Sequence, residues 1–494
     1  MSAASVPCQV HVTKSSSKLG ITIPQFSQSN PAREVVRLTV ANQSAQASFL
    51  ALAAPWVTIP TSICTKLNIA YGQSLSILEL KPIQPHTRPP FKTEGEKVDM
   101  LSLIPPTSIN GYPLYVNEYM NNGEEWLRVW YHHPRGAARQ IELTRYVNAA
   151  RLGGLLGLLQ AEGDKKYARV GFKNSAIAEH ADLVSRLVEL GVPLTLIHGR
   201  CIFNPNKSTL VTAYEYAERY RNATGITIGH FSVINSMKGA VAADTLVRSS
   251  VLATILLFAM SEVRRGAFRH GSLRRNFLAK LLTGDGSLDA RRRPQRLDVR
   301  LTIVDQDTDA LRDYAELLSQ EGFKARVYAD RITVRAYCTW LNLVRLYEIG
   351  AFRNGRNWIK LLCAIKITIL GRENRGYRRI QELSKLHSII SDDISAKYGI
   401  GRRSSNLWIR TMHRKGMLER LPTIRSDGRK EYVVTAKGKS LAGIIEAIER
   451  DYNEISKQKG VDDAQVILQQ MKYKGKPTKA KQSPAKPVIR PCSA

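Results

Sequence analysis

Acidic residues are scarce in this chain. Across 494 residues there are 42 Asp and Glu against 73 Lys and Arg, a formal net charge of +31 at pH 7. A balance of that sign favours a polyanionic partner, and nucleic acid is the commonest. Cysteine is sparse too. Cys8, Cys64, Cys201, Cys338, Cys363 and Cys492 are scattered, with no CxxC or Cys/His spacing for zinc and no dense framework for secretion, and they read as reduced thiols. The longest apolar run, residues 251–260, is too short to span a bilayer and reads as a buried helix. The start carries no charged region followed by an apolar stretch, so no secretory leader is expected. There is no Ser-His-Asp constellation, no phosphate-cradling loop and no dinucleotide fingerprint, and the ten histidines show no ligand spacing. The length asks for more than one domain.

Two segments carry the chemistry. Residues 155–163 read LLGLLQAEG and residues 278–286 read LAKLLTGDG. Each is an apolar helix ending in a carboxylate, Glu162 or Asp285, followed by a glycine suited to the left-handed position that stops a helix. A carboxylate at a helix C-terminus opposes the macrodipole and needs a compensating cation. Two such helices side by side would bring both acids to one end, which is a site for divalent metal. Gly153 and Gly157 stand four apart on the first helix, where they permit close backbone approach. Ala279 and Gly284 are the small residues expected to serve the second, and Lys280 requires an asymmetric interface or a side chain that snorkels out.

A repeat follows the two segments. After the first come a strand at 167–172, a helix at 175–190 stopped by Gly191, and strands at 193–203. After the second come a strand at 297–304, a helix at 308–320, Gly322, and strands to 337. The helices align as Leu183 with Tyr314, Leu187 with Leu318 and Gly191 with Gly322, a register of 131 against the 123 residues between the acids. The second copy therefore carries eight extra residues, 289–296, holding Arg291, Arg292, Arg293 and Arg296. They read as a solvent-facing loop suited to phosphate.

The pattern resembles the LAGLIDADG homing endonuclease family, with Glu162 and Asp285 on the motif's eighth letter. The resemblance implies an α+β fold, a pseudo-symmetric saddle of two αββαββα-type repeats, and Mg2+ or Mn2+ held between two motif helices by those two acids. Gln160 replaces the motif's sixth-letter acid. The family's basic groups near the metal point to Lys207, Arg335 and Lys165. The saddle would sit in the major groove of double-stranded DNA, with Lys173, Arg200, Arg300, Lys324 and Arg326 facing it.

The flanks differ. Residues 1–95 are β-rich. A strand at 56–60, a short helix at 61–67 ending at Asn68, a turn at Gly72 and a second strand resemble the AbrB-type swapped hairpin. Residues 82–97 read as a linker, 96–142 as a β-rich connector, 143–225 and 271–358 as the two repeats, and 226–270 as a helical linker. Residues 376–452 resemble a winged helix-turn-helix. Its third helix has Leu407 and Met412 inward and Arg402, Arg403, Arg410 and Arg414 outward, and Arg429 stands at the wing tip. Residues 453–494 read as a basic disordered tail. The ends, Met-Ser and Cys-Ser-Ala, are not those expected of an intact intein. The expectation is a monomeric, site-specific DNA endonuclease, cytoplasmic and nucleoid-associated, with no membrane partner. The alternatives are a transcription regulator on the same fold or an RNA-splicing maturase. Retention of both acids favours the nuclease.

Overall fold

Each acid-tipped segment is a helix that turns directly into a strand. In a computed structural model of the chain, the described residues are 6–12, 18–23, 35–54, 56–132, 138–164, 169–292, 297–328, 332–353, 356–369, 375–424, 427–461 and 463–473. The chain forms two compact units, Met1–Leu281 and Leu282–Ala494.

The first unit opens with β1 (Val6–Val12), β2 (Leu19–Thr22), β3 (Val35–Asn42), β4 (Ala45–Leu52), β5 (Trp56–Thr58), α1 (Thr61–Leu67) and β6 (Ser74–Pro82). These strands form one six-stranded sheet in the order β4-β3-β6-β1-β2-β5, closed over Ile21, Leu38, Val57, Leu67 and Leu75. Helix α1 stops at Asn68, which takes the left-handed conformation at φ 49° and donates its N–H to the last turn. Asn tolerates that region where most side chains do not. Strands β7 (Thr93–Glu94), β8 (Lys97–Asp99), β9 (Tyr115–Asn121), β10 (Glu124–Tyr131), β11 (Arg139–Thr144) and β12 (Tyr146–Asn148) follow in two small sheets.

The remainder of this unit is α2 (Ala149–Glu162), β13 (Gly163–Asp164), β14 (Val170–Asn174), α3 (Ile177–Glu189), β15 (Ile197–Phe203), α4 (Leu210–Thr224), β16 (Ile228–Val233), β17 (Val241–Val247), α5 (Ser250–Arg264) and α6 (Gly271–Gly284), the last of which contains the division between units. The sheet order is β13-β14-β17-β15-β16. Residues 226–270 are therefore not a helical linker. They supply β16 and β17 before α5, and β17 lies between β14 and β15 at the centre of the sheet.

The second unit runs β18 (Gly286–Arg292), β19 (Leu297–Val304), α7 (Thr308–Gln320), β20 (Ala325–Val327), β21 (Thr333–Tyr337) and α8 (Trp340–Glu348), with sheet order β18-β19-β21-β20. Set β16 aside and the strand orders of the two sheets are equivalent. Helices α3 and α7 are each 13 residues long and share the register 131. Gly191 and Gly322, at φ 101° and 81°, end them in left-handed conformations. Gly163 faces Phe172 across the first hairpin and Gly286 faces Ile303 across the second, so the second is longer by eight residues. The extra residues are not simply a loop: 289–292 extend β18, while Arg293 and Arg296 lie outside the described residues.

The unit continues with α9 (Arg356–Ile369), α10 (Arg375–Leu383), α11 (Ser391–Tyr398), α12 (Arg402–Arg414), β22 (Leu418–Ile424), β23 (Lys430–Val434), α13 (Ala436–Lys459) and α14 (Ala464–Tyr473). Of the region expected as a disordered tail, residues 453–459 and 464–473 are helical, and residues 474–494 lie outside the described residues. Helix α12 buries Ser405, Trp408, Ile409 and Met412, whereas Leu407 is 62% exposed, contrary to its expected inward position. The i, i+3, i+4, i+7 stripe runs from Ser405, and Leu407 falls on its opposite side.

Candidate functional site

The first motif helix is almost wholly buried, from Leu152 to Gln160. Its glycines let another backbone reach it. A Cβ at Gly153 would strike the carbonyl oxygen of Leu273, and one at Gly157 that of Phe277, both on α6. Both contact residues rise by four together, so α2 and this part of α6 run parallel. Ala279, expected to serve this contact from the second helix, is buried. The second helix offers carbonyls and the Lys280 Cβ to the glycines of the first, so the interface is asymmetric. A third glycine, Gly154, leaves the space that the Arg186 guanidinium fills, and Arg186 donates to the Arg151 carbonyl at 2.7 Å.

Lys280 does not snorkel to water. Its ammonium lies 3.0 Å from Glu179 and 2.8 Å from Asp182, both on α3. Burial opposes ionisation of Asp182, but Lys280 and Arg186 outweigh it and hold this carboxyl below its ordinary value. The sequence signal for this pair is the i, i+3 spacing of two acids on one helix face, a spacing that solvated helices share.

Glu162 closes α2 and is exposed on its outer side. Crowding of its inner side, followed by the charge of Glu179, pushes its carboxyl above the ordinary value. A desolvated carboxylate beside another is one that a cation would relieve. Gly163 follows in extended conformation at φ −75°, ψ 146°, not left-handed. Its glycine requirement is contact: a Cβ would lie 2.9 Å from the Leu159 carbonyl carbon. Gly286 stands in the same way over Leu282, with an added Cβ 2.8 Å from the Leu282 Cα. Asp285 occupies the turn between α6 and β18 and is half-buried.

Among the described residues no group of three His, Cys, Asp or Glu could hold a metal ion by itself. The donors nevertheless suit a hard cation. Carboxylate oxygens match Mg2+ or Mn2+, and Mg2+ keeps several waters, so it needs few protein ligands.

Residues 272–353 match the family model of the LAGLIDADG-like domain. The match begins in α6, takes in Asp285 and ends after α8. A solved structure of an I-SmaMI mutant is similar over 44% of this chain and 90% of its own, at 10% identity and a TM-score of 0.26. No curated protein gives a significant match.

Within the matched residues 272–353, the sheet face opposite the core carries Ser287, Thr302, Arg335 and Arg326 in one cross-strand row, and Asp289, Arg300 and Tyr337 in the next. Arg300 lies over the Tyr337 ring at 5.0 Å and Arg335 over Tyr328 at 4.1 Å. Lys324 is exposed just before β20. On the first unit's sheet the corresponding face holds the row Lys173, Asp244, Arg200 and His230. Buried Asp244 pairs with Arg200 there, so Lys173 is the more available cation.

Lys207 and Arg335, both expected near the metal, do not occupy equivalent places in their sheets. Lys207 follows β15, the third strand, and its ammonium donates to the Lys238 carbonyl at 2.8 Å. By strand register the counterpart of Arg335 is Leu246, which is buried. Lys165 lies outside the described residues, as do the side chains of Arg291 and Arg292. On α12, Arg403, Arg410 and Arg414 are exposed. Arg402 and Arg429 both reach Asp392, which offsets part of their charge.

Among the described residues no helix is long and apolar enough to cross a membrane.

Proposed function

We propose that the protein is a site-specific, double-stranded DNA endonuclease of LAGLIDADG type, acting as a monomer, with Glu162 and Asp285 as its metal-binding carboxylates. The observation that carries this reading is a duplicated corner. A helix ends at an acid or one residue before it, and the residue after the acid is a glycine that has no room for a side chain. The second copy lies within the matched domain. Mg2+ or Mn2+ bound there would neutralise the scissile phosphate and acidify an attacking water. The chain's own residues do the rest. Arg300, Arg326, Arg335 and Lys173 lie along sheet faces as phosphate and base contacts in the major groove. Residues 376–452 serve as a winged helix-turn-helix with α12 as its reading helix, and the chain's strong positive charge speeds association with DNA.

The test is incubation with a genomic DNA library in Mg2+, followed by mapping of ends. The expected outcome is cutting at defined sites, abolished by Glu162→Gln or Asp285→Asn while DNA binding persists. A DNA-binding regulator is the second reading. It is favoured by the exposed arginines of α12, whose use does not depend on either acid, and it prevails if the wild type binds DNA and never cuts.

A further inference from the structure

The chain on either side of Asp285 is held by Phe352, at the end of the matched domain, and by two residues of α9 beyond it. The Phe352 N–H donates to Thr283 Oγ1 at 3.1 Å, two residues before the acid. Asn357 Nδ2 donates to the Gly286 carbonyl at 3.2 Å, one residue after it. Lys360 Nζ donates to the Leu288 carbonyl at 3.1 Å and to Asn357 Oδ1 at 3.3 Å. The last contact fixes the orientation of the Asn357 amide that reaches Gly286. Asn357 and Lys360 are one turn apart on α9. That helix is a rigid base: Leu361, Leu362 and Ile365 are buried to within 1%, and Trp358 stacks on Tyr347 at 5.2 Å. Phe352 is itself a non-glycine residue at φ 67° and 1% exposed. Such a conformation persists only where its surroundings enforce it.

We propose that Asn357 and Lys360 are positioning residues that fix the peptide following Asp285 and so set the direction of its carboxylate toward a divalent ion. This rests on the nuclease reading of Asp285. The physical reason is reach. An aspartate has two rotatable side-chain bonds, so its carboxylate goes where its backbone points it. The α6–β18 corner could rock about the turn at Asp285. Three hydrogen bonds from a buried platform, at residues 283, 286 and 288, remove that freedom. The matched domain ends at residue 353, so α9 lies outside it. Sequence alone gives no hint of it, because an Asn and a Lys three apart on a basic helix read as solvent-facing.

The experiment uses the full-length protein and follows Mn2+ binding by electron paramagnetic resonance of the free ion. The variants are Asn357→Leu, which keeps the shape and removes the amide, Lys360→Met, Asn357→Gln as the conservative rescue, and Asp285→Asn as reference. Thermal melts confirm that each variant is folded. Removing groups that orient a metal ligand typically weakens affinity 10- to 100-fold. Asn357→Leu and Lys360→Met are therefore expected to weaken Mn2+ roughly 10-fold and to raise the Mg2+ concentration that half-activates cleavage by a similar factor. DNA affinity in Ca2+ should be unchanged, and Asn357→Gln should recover part of the loss. If Asp285→Asn weakens Mn2+ binding and both α9 variants titrate as wild type, the positioning role is wrong and the nuclease reading stands. If Asp285→Asn itself binds Mn2+ like wild type, Asp285 is not a ligand and both ideas fall.

Discussion

Gly163 sits against the carbonyl of Leu159, four residues back, so tightly that no Cβ fits between them, and Gly286 repeats the relationship with Leu282. An acid precedes each glycine. The contact lets the chain leave a helix and enter a strand with no intervening loop, which fixes where Glu162 and Asp285 stand.

Gly163→Ala and Gly286→Ala are therefore expected to destabilise the fold by about 1–3 kcal/mol, the range for overpacking a tight site. Gly229, where nothing lies within 4 Å of an added Cβ, is the control. Its alanine variant should fall within about 0.5 kcal/mol of wild type. Urea denaturation of the three variants checks this, and equal midpoints would remove the steric account of the corner.

Lys280→Met leaves Glu179 and Asp182, 13% and 22% exposed, without their shared cation. A loss of roughly 1.5–3 kcal/mol is expected, as for a hydrogen bond to a charged group. Adding Glu179→Gln should restore part of it. A double-mutant cycle measures the coupling, and additive losses would mean the pair does not interact.

His180 is fully buried between Phe172 and Tyr220, bonded to Thr245 Oγ1 and the Asn174 carbonyl. Burial holds its pKa below 6.5, as it does for His132. The unfolded chain thus binds protons that the folded one refuses, and stability present above pH 6.5 is lost as pH falls below it. Melting temperature should drop between about pH 7 and pH 5. His180→Leu, which copies Leu311 at the same register position, should flatten that slope, and an unchanged slope would point to other groups.

Arg410→Ala and Arg414→Ala should each reduce the salt dependence of DNA binding by about one unit of log-log slope, with no effect on melting. Binding measured across a salt series decides it. A constant slope would turn α12 toward a protein partner.

Much of this arrangement was legible in the residues. Asn68 marks the end of α1, Gly191 and Gly322 mark the ends of α3 and α7, and the register shift between acids and helices locates the eight extra residues. Three features were not. Strand β17 is covered on both faces, all seven of its residues buried, so it shows no alternation, and Ala242-Ala243 ahead of an apolar helix reads as helix. Leu407 misleads because Trp408 beside it takes the inward place. The partners of Lys280 and the platform under Asp285 come from residues distant in sequence, to which no local pattern points.

The α4–β16 excursion leaves and rejoins the first sheet at one place. Phe203 and Val241 are partners across β15 and β17, and the Asn204 N–H meets the Ala240 carbonyl at 2.9 Å. Residues 204–240 thus leave and return between neighbouring strands, and their strand β16 pairs with β15 through a register shift at Gly199 and Arg200. The segment is also a roof over the core. Tyr220 of α4 bonds Thr245, the same hydroxyl that His180 uses, and excising the segment would flood the histidine's dry niche with solvent. What topology allows to be removed, the core does not spare.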